Sequence, residues 1–175
     1  MLIINYLKNR HTNKVSVSVR LLYKGGRFSI SLFCTDICLT YFTAMQKITN
    51  FLMFTGNAEE AMNFYISLFP GSEIVHITRY KANEPGTEGS VVHATFNLNG
   101  QLFMCIDSNF KHAFTFTPSM SLYVDCESDD EIEKLFNELS KDGDILMPLG
   151  TYPFSKKYVW LNDRFGVSWQ LSYNH

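Results

Sequence analysis

The sequence predicts an α+β protein in which two paired βαβββ modules form a curved mixed sheet around a central cleft. Two helix-start signals, at Asn57 and Ser128, stand 71 residues apart. Each follows an apolar run of strand length, and each helix is followed by three further strand-like runs. The modules are expected over about residues 46–108 and 117–173. Because the two halves share little sequence, the repeat rests on this pattern.

The first module begins with the apolar run Ile48–Phe54, which has the length of a strand. Asn57 as N-cap, with Glu60 three residues later, predicts a capping box, and the helix ends before Pro70. Three strands are then expected over residues 73–80, 90–98 and 101–107, with a hairpin turn at Asn99-Gly100 between the last two.

Alternation along the strand at residues 90–98 divides its side chains between two faces. We expect the helix side to hold Val92, Ala94, Phe96 and Leu98, and the cleft side to hold His93, Thr95 and Asn97.

The second module repeats this order. A strand over 119–126 leads to a capping box at Ser128 and Glu131, and the helix that follows ends at Gly143. Three strands are expected over residues 144–149, 157–161 and 167–173. In the last strand, we expect Trp169 and Leu171 on the helix side, and Ser168, Gln170 and Ser172 on the cleft side.

Charge divides the chain into two pieces. Of 175 residues, 46% are hydrophobic, which is enough for a core, and the net charge is −2. Residues 1–44 carry +5 and residues 45–175 carry −7, so the near-neutral total is a cancellation. The acidity of residues 45–175 argues against nucleic acid as a partner.

Residues 1–44 admit three interpretations. The segment has a basic part followed by an apolar part, like a signal peptide, but Asp36 lies in the apolar part, which is too short to span a bilayer. Alternation at Val15, Val17 and Val19 is typical of an edge hairpin. We favour the third interpretation, that this is upstream sequence before a natural start at Met45, over a signal or anchor and then a structured extension. No membrane partner is expected.

The four cysteines form no C-x-x-C pair and have no histidine at zinc-finger spacing. Cys105 and Cys126 lie in apolar strand-like runs, where buried thiols are usual. Reduced cysteines indicate a cytoplasmic protein.

Four strings together resemble the PhnB-like proteins of the vicinal oxygen chelate superfamily, which includes glyoxalase I, extradiol dioxygenases and the bleomycin resistance proteins. They are FLMFTGNAEEAMNFYISLFPGSEI, GSVVHATFNLNGQLFMCID, FTFTPSMSLYVDCES and NDRFGVSWQL. The resemblance covers about residues 46–173 and implies a glyoxalase-like fold and a homodimer. PhnB-like proteins often carry the label 3-demethylubiquinone 3-methyltransferase, but the chain has no glycine-rich nucleotide loop that would support this activity.

The resemblance also implies where a metal would bind. Metal enzymes of the superfamily use one ligand on each of four strands, usually His or Glu, and the matching positions here are Asn50, Met104, Ser119 and Gln170. Such a set lacks the imidazole and carboxylate donors that divalent cations need, so we expect no metal and no cofactor at the usual site. Gln170 by itself does not exclude a metal, because some glyoxalases use glutamine.

The expected ligand-binding residues are therefore Asn50, His93, Met104, Ser119, Ser121 and Gln170. His93 is the candidate catalytic base, because histidine titrates near neutral pH, although a structural role on its strand is the commoner case. Gln170 could orient a ligand or only bond across the sheet. The expected function is small-molecule binding, and the alternatives are a lyase, isomerase or other enzyme of the superfamily, or a structural, partner-binding role.

Overall fold

The computed structural model describes residues 48–174 in full and the backbone of residues 2–8, 15–23 and 26–32. The chain divides into two compact units, Met1–Ile48 and Thr49–His175. The expected domain boundary at Ala44/Met45 lies outside the described residues, as does the apolar segment after residue 32.

The first unit contains a three-stranded antiparallel sheet. Its strands are β1 (Leu2–Lys8), β2 (Val15–Tyr23) and β3 (Gly26–Leu32), in the order β1-β2-β3. The alternating valines at positions 15, 17 and 19 lie on β2, as the hairpin interpretation expects for this stretch.

The second unit contains the two expected βαβββ modules. The first comprises β4 (Asn50–Phe54), α1 (Ala58–Leu68), β5 (Glu73–Arg79), β6 (Val91–Leu98) and β7 (Gln101–Asp107). The second comprises β8 (Leu122–Asp125), α2 (Asp129–Leu139), β9 (Asp144–Tyr152), β10 (Ser155–Asn162) and β11 (Ser168–Tyr173).

Each module forms a four-stranded mixed sheet. The strand orders are β4-β7-β6-β5 and β8-β11-β10-β9. In both sheets the first strand is parallel to the last strand of its module, and the other pairs are antiparallel. The two sheets therefore share one topology, which confirms the α+β fold class.

One buried cluster takes side chains from both modules. Trp169, on the helix side of the second sheet, lies with its ring 5.3 Å from that of Tyr65 and 5.9 Å from that of Phe69. Tyr65 belongs to α1 of the first module, and Phe69 directly follows that helix. Because the helix sides of both sheets contribute to this cluster, each sheet also has a face turned away from its helix. We call these the first and second open faces.

A buried carboxylate ties the modules together. Asp163 Oδ2 accepts hydrogen bonds from the Tyr65 hydroxyl at 2.7 Å and from Trp169 Nε1 at 2.8 Å. Its Oδ1 accepts from the backbone N–H groups of Phe165 and Val167 at 2.8 and 3.0 Å. Burial raises the pKa of Asp163 above its ordinary value, although the four hydrogen bonds act in the opposite direction. Burial and the nearby Asp163 charge likewise raise the pKa of Tyr65.

The two helices begin in different ways. The expected capping role of Asn57 is wrong, because its side chain makes no capping hydrogen bond. Asp107, at the end of β7, accepts instead from the N–H groups of Gly56 and Ala58 at 2.7 and 2.9 Å. The capping interaction at Ser128 is confirmed, since its hydroxyl oxygen accepts from Glu131 N at 3.1 Å.

Strand β6 differs from the expected alternation at its start. Ala94, Phe96 and Leu98 are buried as predicted, but Val91 is buried in place of Val92. The pairing of β5 with β6 shifts between Thr78 and Arg79, and this irregularity changes which side chain faces the core. Asp107 Oδ2 accepts from the Val91 N–H at 2.9 Å and holds this bend.

Neither α1 nor α2, the helices of the described residues, has the length and apolar run needed to cross a bilayer.

Candidate functional site

The first open face carries two of the predicted site residues, His93 and Met104. Pairing across the sheet sets Phe51 beside Met104 and Met104 beside Thr95. His93 is half-buried, and its ring lies 6.4 Å from that of Phe51. Because His76 pairs with Thr95, this face combines two imidazoles with apolar side chains, and Phe51 is 53% exposed.

The second open face carries Gln170 and two separate sets of side-chain hydrogen bonds. The Tyr158 hydroxyl donates to Gln170 Oε1 at 2.7 Å. Trp160 Nε1 donates to the Ser168 hydroxyl at 2.9 Å, and Ser168 also bonds to the Ser121 hydroxyl at 2.9 Å. Burial is the main cause that raises the pKa of Tyr158, so its hydroxyl is protonated and able to donate at neutral pH. The hydrogen bond from Tyr158 fixes the orientation of the Gln170 amide.

Two predicted residues lie elsewhere. Asn50 pairs with Phe103, a buried residue on the helix side of the first sheet, so it is on the opposite side from Met104. Ser119 is exposed in the loop before β8, and its hydroxyl bonds to that of Thr117 at 2.6 Å. The structure thus places Gln170 on the second open face, with Ser121 bonded to Ser168 of that face, and places His93 and Met104 on the first. It does not unite all six predicted residues.

The described residues do not fit the superfamily's metal site. Of the four expected ligand positions, Asn50 and Met104 occupy opposite sides of one sheet. Met104 offers a soft thioether and Ser119 a neutral hydroxyl, whereas a divalent cation needs imidazole or carboxylate donors. Among the described residues, no group of three or more His, Cys, Asp or Glu side chains is arranged to hold a metal ion.

A cleft of about 620 Å³ lies between the modules, but the strand residues predicted for the cleft side, His93, Thr95, Asn97, Ser168, Gln170 and Ser172, do not line it. Asn50 and Ser121 are the predicted site residues that line it. The first module also contributes Phe69, Pro70, Leu98, Asn99, Gln101 and Phe103, and the second contributes Met120, Leu122, Tyr123, Val124, Asp125, Glu127, Glu131 and Trp169. The cleft arises from packing between modules, for which the sequence carries no local signal.

A smaller hollow of about 460 Å³ borders the segment that connects the modules. His112 Nε2 lies 2.8 Å from the Ser108 hydroxyl, and the His112 ring is 4.9 Å from that of Phe114. These contacts hold the His112 side chain against residues of the connecting segment.

The described cysteines are not arranged for nucleophilic chemistry. Cys105 and Cys126 are free thiols and fully buried, and burial raises the pKa of each to about 12. A thiol with such a pKa remains protonated near neutral pH and is a poor nucleophile.

Comparisons with known proteins agree with this architecture. Residues 46–172 match the family model described as 3-demethylubiquinone-9 3-methyltransferase. A search of curated proteins found no match.

Solved structures extend the comparison. A PhnB protein from Bacillus cereus is 69% identical, with a TM-score of 0.72, and the match covers 73% of this chain and 99% of that one. Protein PA1353 from Pseudomonas aeruginosa is 26% identical over 74% of this chain and 98% of its own, with a TM-score of 0.65. A glyoxylase/bleomycin resistance protein/dioxygenase domain from Frankia sp. shares the fold at 12% identity, covering 75% of this chain and 94% of that one, with a TM-score of 0.53. The chain belongs to the PhnB-like family.

Proposed function

We propose that the chain binds a small uncharged molecule at the second open face, without the metal that the superfamily usually holds. The observation that carries this proposal is the orientation of Gln170. Its Oε1 accepts from Tyr158, and no described residue accepts from its Nε2. An oriented amide N–H suits a carbonyl or similar acceptor on a ligand.

The surroundings of Gln170 favour a flat, uncharged ligand. Pairing sets Tyr123 on one side of Gln170 and Trp160 on the other. Along the same face of β11, the neighbours are Ser168 and Ser172. Aromatic walls and hydroxyl groups provide apolar contact and orientation without a charge to pair.

A homodimer would complete the binding site. His93 and Met104 lie on the first open face and Gln170 on the second, and the two faces belong to different sheets whose helix sides share one core. Large side chains on both faces are exposed, with Phe51 at 53% and Tyr123 at 59%. A second copy could cover these side chains and bring the first open face of one protomer to the second open face of the other.

The first experiment measures metal content and oligomeric state. The full chain is purified without chelator, its metals are measured by mass spectrometry, and its mass in solution by sedimentation. We expect a dimer with metal far below one ion per protomer. Stoichiometric nickel, zinc, iron or manganese would overturn the metal-free proposal, and a monomer would overturn the dimeric site.

The second experiment tests Gln170 directly. Acetanilide, which is flat and uncharged with one carbonyl acceptor, is titrated while tryptophan fluorescence is recorded. Gln170→Ala should weaken binding about tenfold through the lost hydrogen bond. The matched control Gln101→Ala alters a glutamine on β7 that lies outside both open faces and should leave binding unchanged. Absence of saturable binding, or equal effects of the two substitutions, would overturn the proposal.

An enzymatic role is the second candidate function. The position of His93 on an open face, beside Phe51, would suit a general base for a lyase or isomerase reaction. Conversion of a bound compound by the native chain, lost in His93→Ala but retained in His112→Ala, would favour this role over binding alone.

We also propose a cytoplasmic location, with no nucleic acid or membrane as partner. The support is the unpaired, buried state of Cys105 and Cys126 and the net charge of −7 on residues 45–175. Cell fractionation tests the location, and recovery of the protein outside the cytoplasm would overturn it.

A further inference from the structure

We propose that the cleft between the modules is a second binding site, specific for an organic cation. The cleft has a volume of about 620 Å³, which lies within the range of small-molecule sites. Three carboxylates line it, from Asp125, Glu127 and Glu131, and the described lining residues include no lysine, arginine or histidine. The three carboxylates would therefore attract a positively charged ligand, and no basic side chain of the described lining would compete with it for them.

The inner wall of the cleft is aromatic. Phe69, Phe103 and Trp169 all line it, and the rings of Phe69 and Trp169 are stacked with centroids 5.9 Å apart and an interplanar angle of 19°. Trp169 is 2% exposed and Phe103 is 5% exposed, so packing holds both rings in place. Rings held in this way offer a fixed apolar surface to the body of a ligand.

The carboxylates at the cleft differ from two acidic side chains of α2, Asp129 and Glu133. Asp129 and Glu133 are both paired with Lys157 Nζ, at 2.9 and 2.6 Å. At the cleft, no described basic side chain forms an ion pair with Asp125 or Glu127. Lys157 thus compensates two acidic side chains of α2, whereas the carboxylates that precede the helix line the cleft without an ion pair to a described residue.

Glu131 lines the cleft, but its carboxylate already accepts one hydrogen bond from the backbone. Its Oε2 accepts from the Glu127 N–H at 2.7 Å, which holds the half-buried carboxylate at the cleft wall. The bond is to a neutral donor, so the negative charge of Glu131 remains available to a ligand. Asn50 and Gln101 add neutral amides on the opposite side.

These features define the ligand class. The carboxylates require a positive charge, and the aromatic wall requires an apolar body next to it. The ligand is therefore an alkyl or aryl ammonium compound and not a bare metal ion. The cleft shares Ser121 and Tyr123 with the surroundings of the second open face, but Gln170 does not line it. Gln170→Ala therefore tests one site, and substitution of the cleft carboxylates tests the other.

Calorimetric titration of the full chain tests the proposal. Benzyltrimethylammonium is the probe, and benzyl alcohol and phenylacetate are its neutral and anionic counterparts. We expect saturable binding of the cation, weaker binding of the alcohol by roughly tenfold and none of the anion, with the cation's affinity falling as salt rises.

Charge-removing variants locate the site. Asp125→Asn combined with Glu127→Gln should weaken cation binding by about fivefold or more. The matched control, Asp130→Asn with Glu88→Gln, removes two exposed carboxylates outside the cleft and should bind as the native chain does.

Three results would overturn the proposal. They are equal affinity for the cation and the alcohol, equal effects of the two double variants, and a change in dimer dissociation in place of a change in cation binding. The last result would mean that a second copy of the chain occupies the cleft.

Discussion

The two modules share one topology but are stabilised differently. The first module caps α1 with Asp107, a carboxylate at the end of β7 that is distant in sequence, whereas the second caps α2 with the neighbouring Ser128. The second module also supplies Asp163, whose hydrogen bonds reach Tyr65 in the first. A repeated fold therefore does not imply repeated interactions, and the long-range contacts make the first module depend on the second.

The open faces show the same contrast. On the second face, Tyr158 orients Gln170, and Trp160 bonds to Ser168. The first face has His93 near Phe51 but no comparable network among its described residues. The second face is thus arranged before any ligand binds, while the first can adapt to one.

The largest expected effect on stability comes from removing the Asp163 carboxylate, which connects the two modules by hydrogen bonds. Asp163→Ala leaves the Tyr65 hydroxyl and the Trp169 indole N–H buried without their acceptor. We expect the free energy of unfolding, measured in urea, to fall by about 3–5 kcal/mol. The exposed control Glu88→Ala should change it by less than about 0.5 kcal/mol. A loss below about 1 kcal/mol for Asp163→Ala would show that the modules do not depend on this carboxylate.

Removing the carboxylate that caps α1 should have the next largest effect. Asp107→Ala leaves three backbone N–H groups without their acceptor, those of Gly56, Ala58 and Val91. The expected loss is about 2–3 kcal/mol in urea unfolding. Asn57→Ala should cost less than about 0.5 kcal/mol, because Asn57 makes no capping bond. If the two substitutions had similar effects, the assignment of the cap to Asp107 would be wrong.

The local cap of α2 should contribute less. Ser128→Ala removes one exposed acceptor at the helix start, and we expect a loss of about 1 kcal/mol in the same measurement. Ser128→Asp, which retains a capping oxygen, should restore most of it. If the alanine variant were as stable as the native chain, the Ser128 cap would not stabilise α2, contrary to the expected local capping of this helix.

The pH dependence should reveal the burial of Asp163. Its pKa is raised in the folded state, so folding favours the protonated carboxyl, and this contribution is complete below the ordinary aspartate pKa and lost as pH rises through the folded pKa. The stability difference between the native chain and Asp163→Ala should therefore shrink as pH rises across that window. If the stability difference grew as pH rose, the pKa of Asp163 would be lowered in the folded state. That result would contradict the effect of burial.

Local signals predicted much of the fold. Helix spacing, turn residues and the Ser128 cap lie close together in the chain, so they can be recognised without knowledge of tertiary contacts. Asn57 was misassigned because its expected role is taken by Asp107, 50 residues away. Val92 was misassigned because the irregular pairing of β5 with β6 depends on two strands together.

The candidate site was less predictable. Gln170 and His93 were placed on open faces by alternation, which works within a regular strand. Asn50 was placed with Met104, yet the parallel pairing of β4 with β7 sets it beside Phe103. Register between strands, and the packing that forms the cleft between the modules, are not encoded in any single stretch of residues.

The most direct test of the central claim is a crystal structure of the full chain with acetanilide, with anomalous data collected for transition metals. We expect the carbonyl oxygen of acetanilide to accept a hydrogen bond from Gln170 Nε2, beside Trp160, with no anomalous peak at Gln170. A metal ion coordinated by Gln170, or acetanilide bound only away from the second open face, would contradict it.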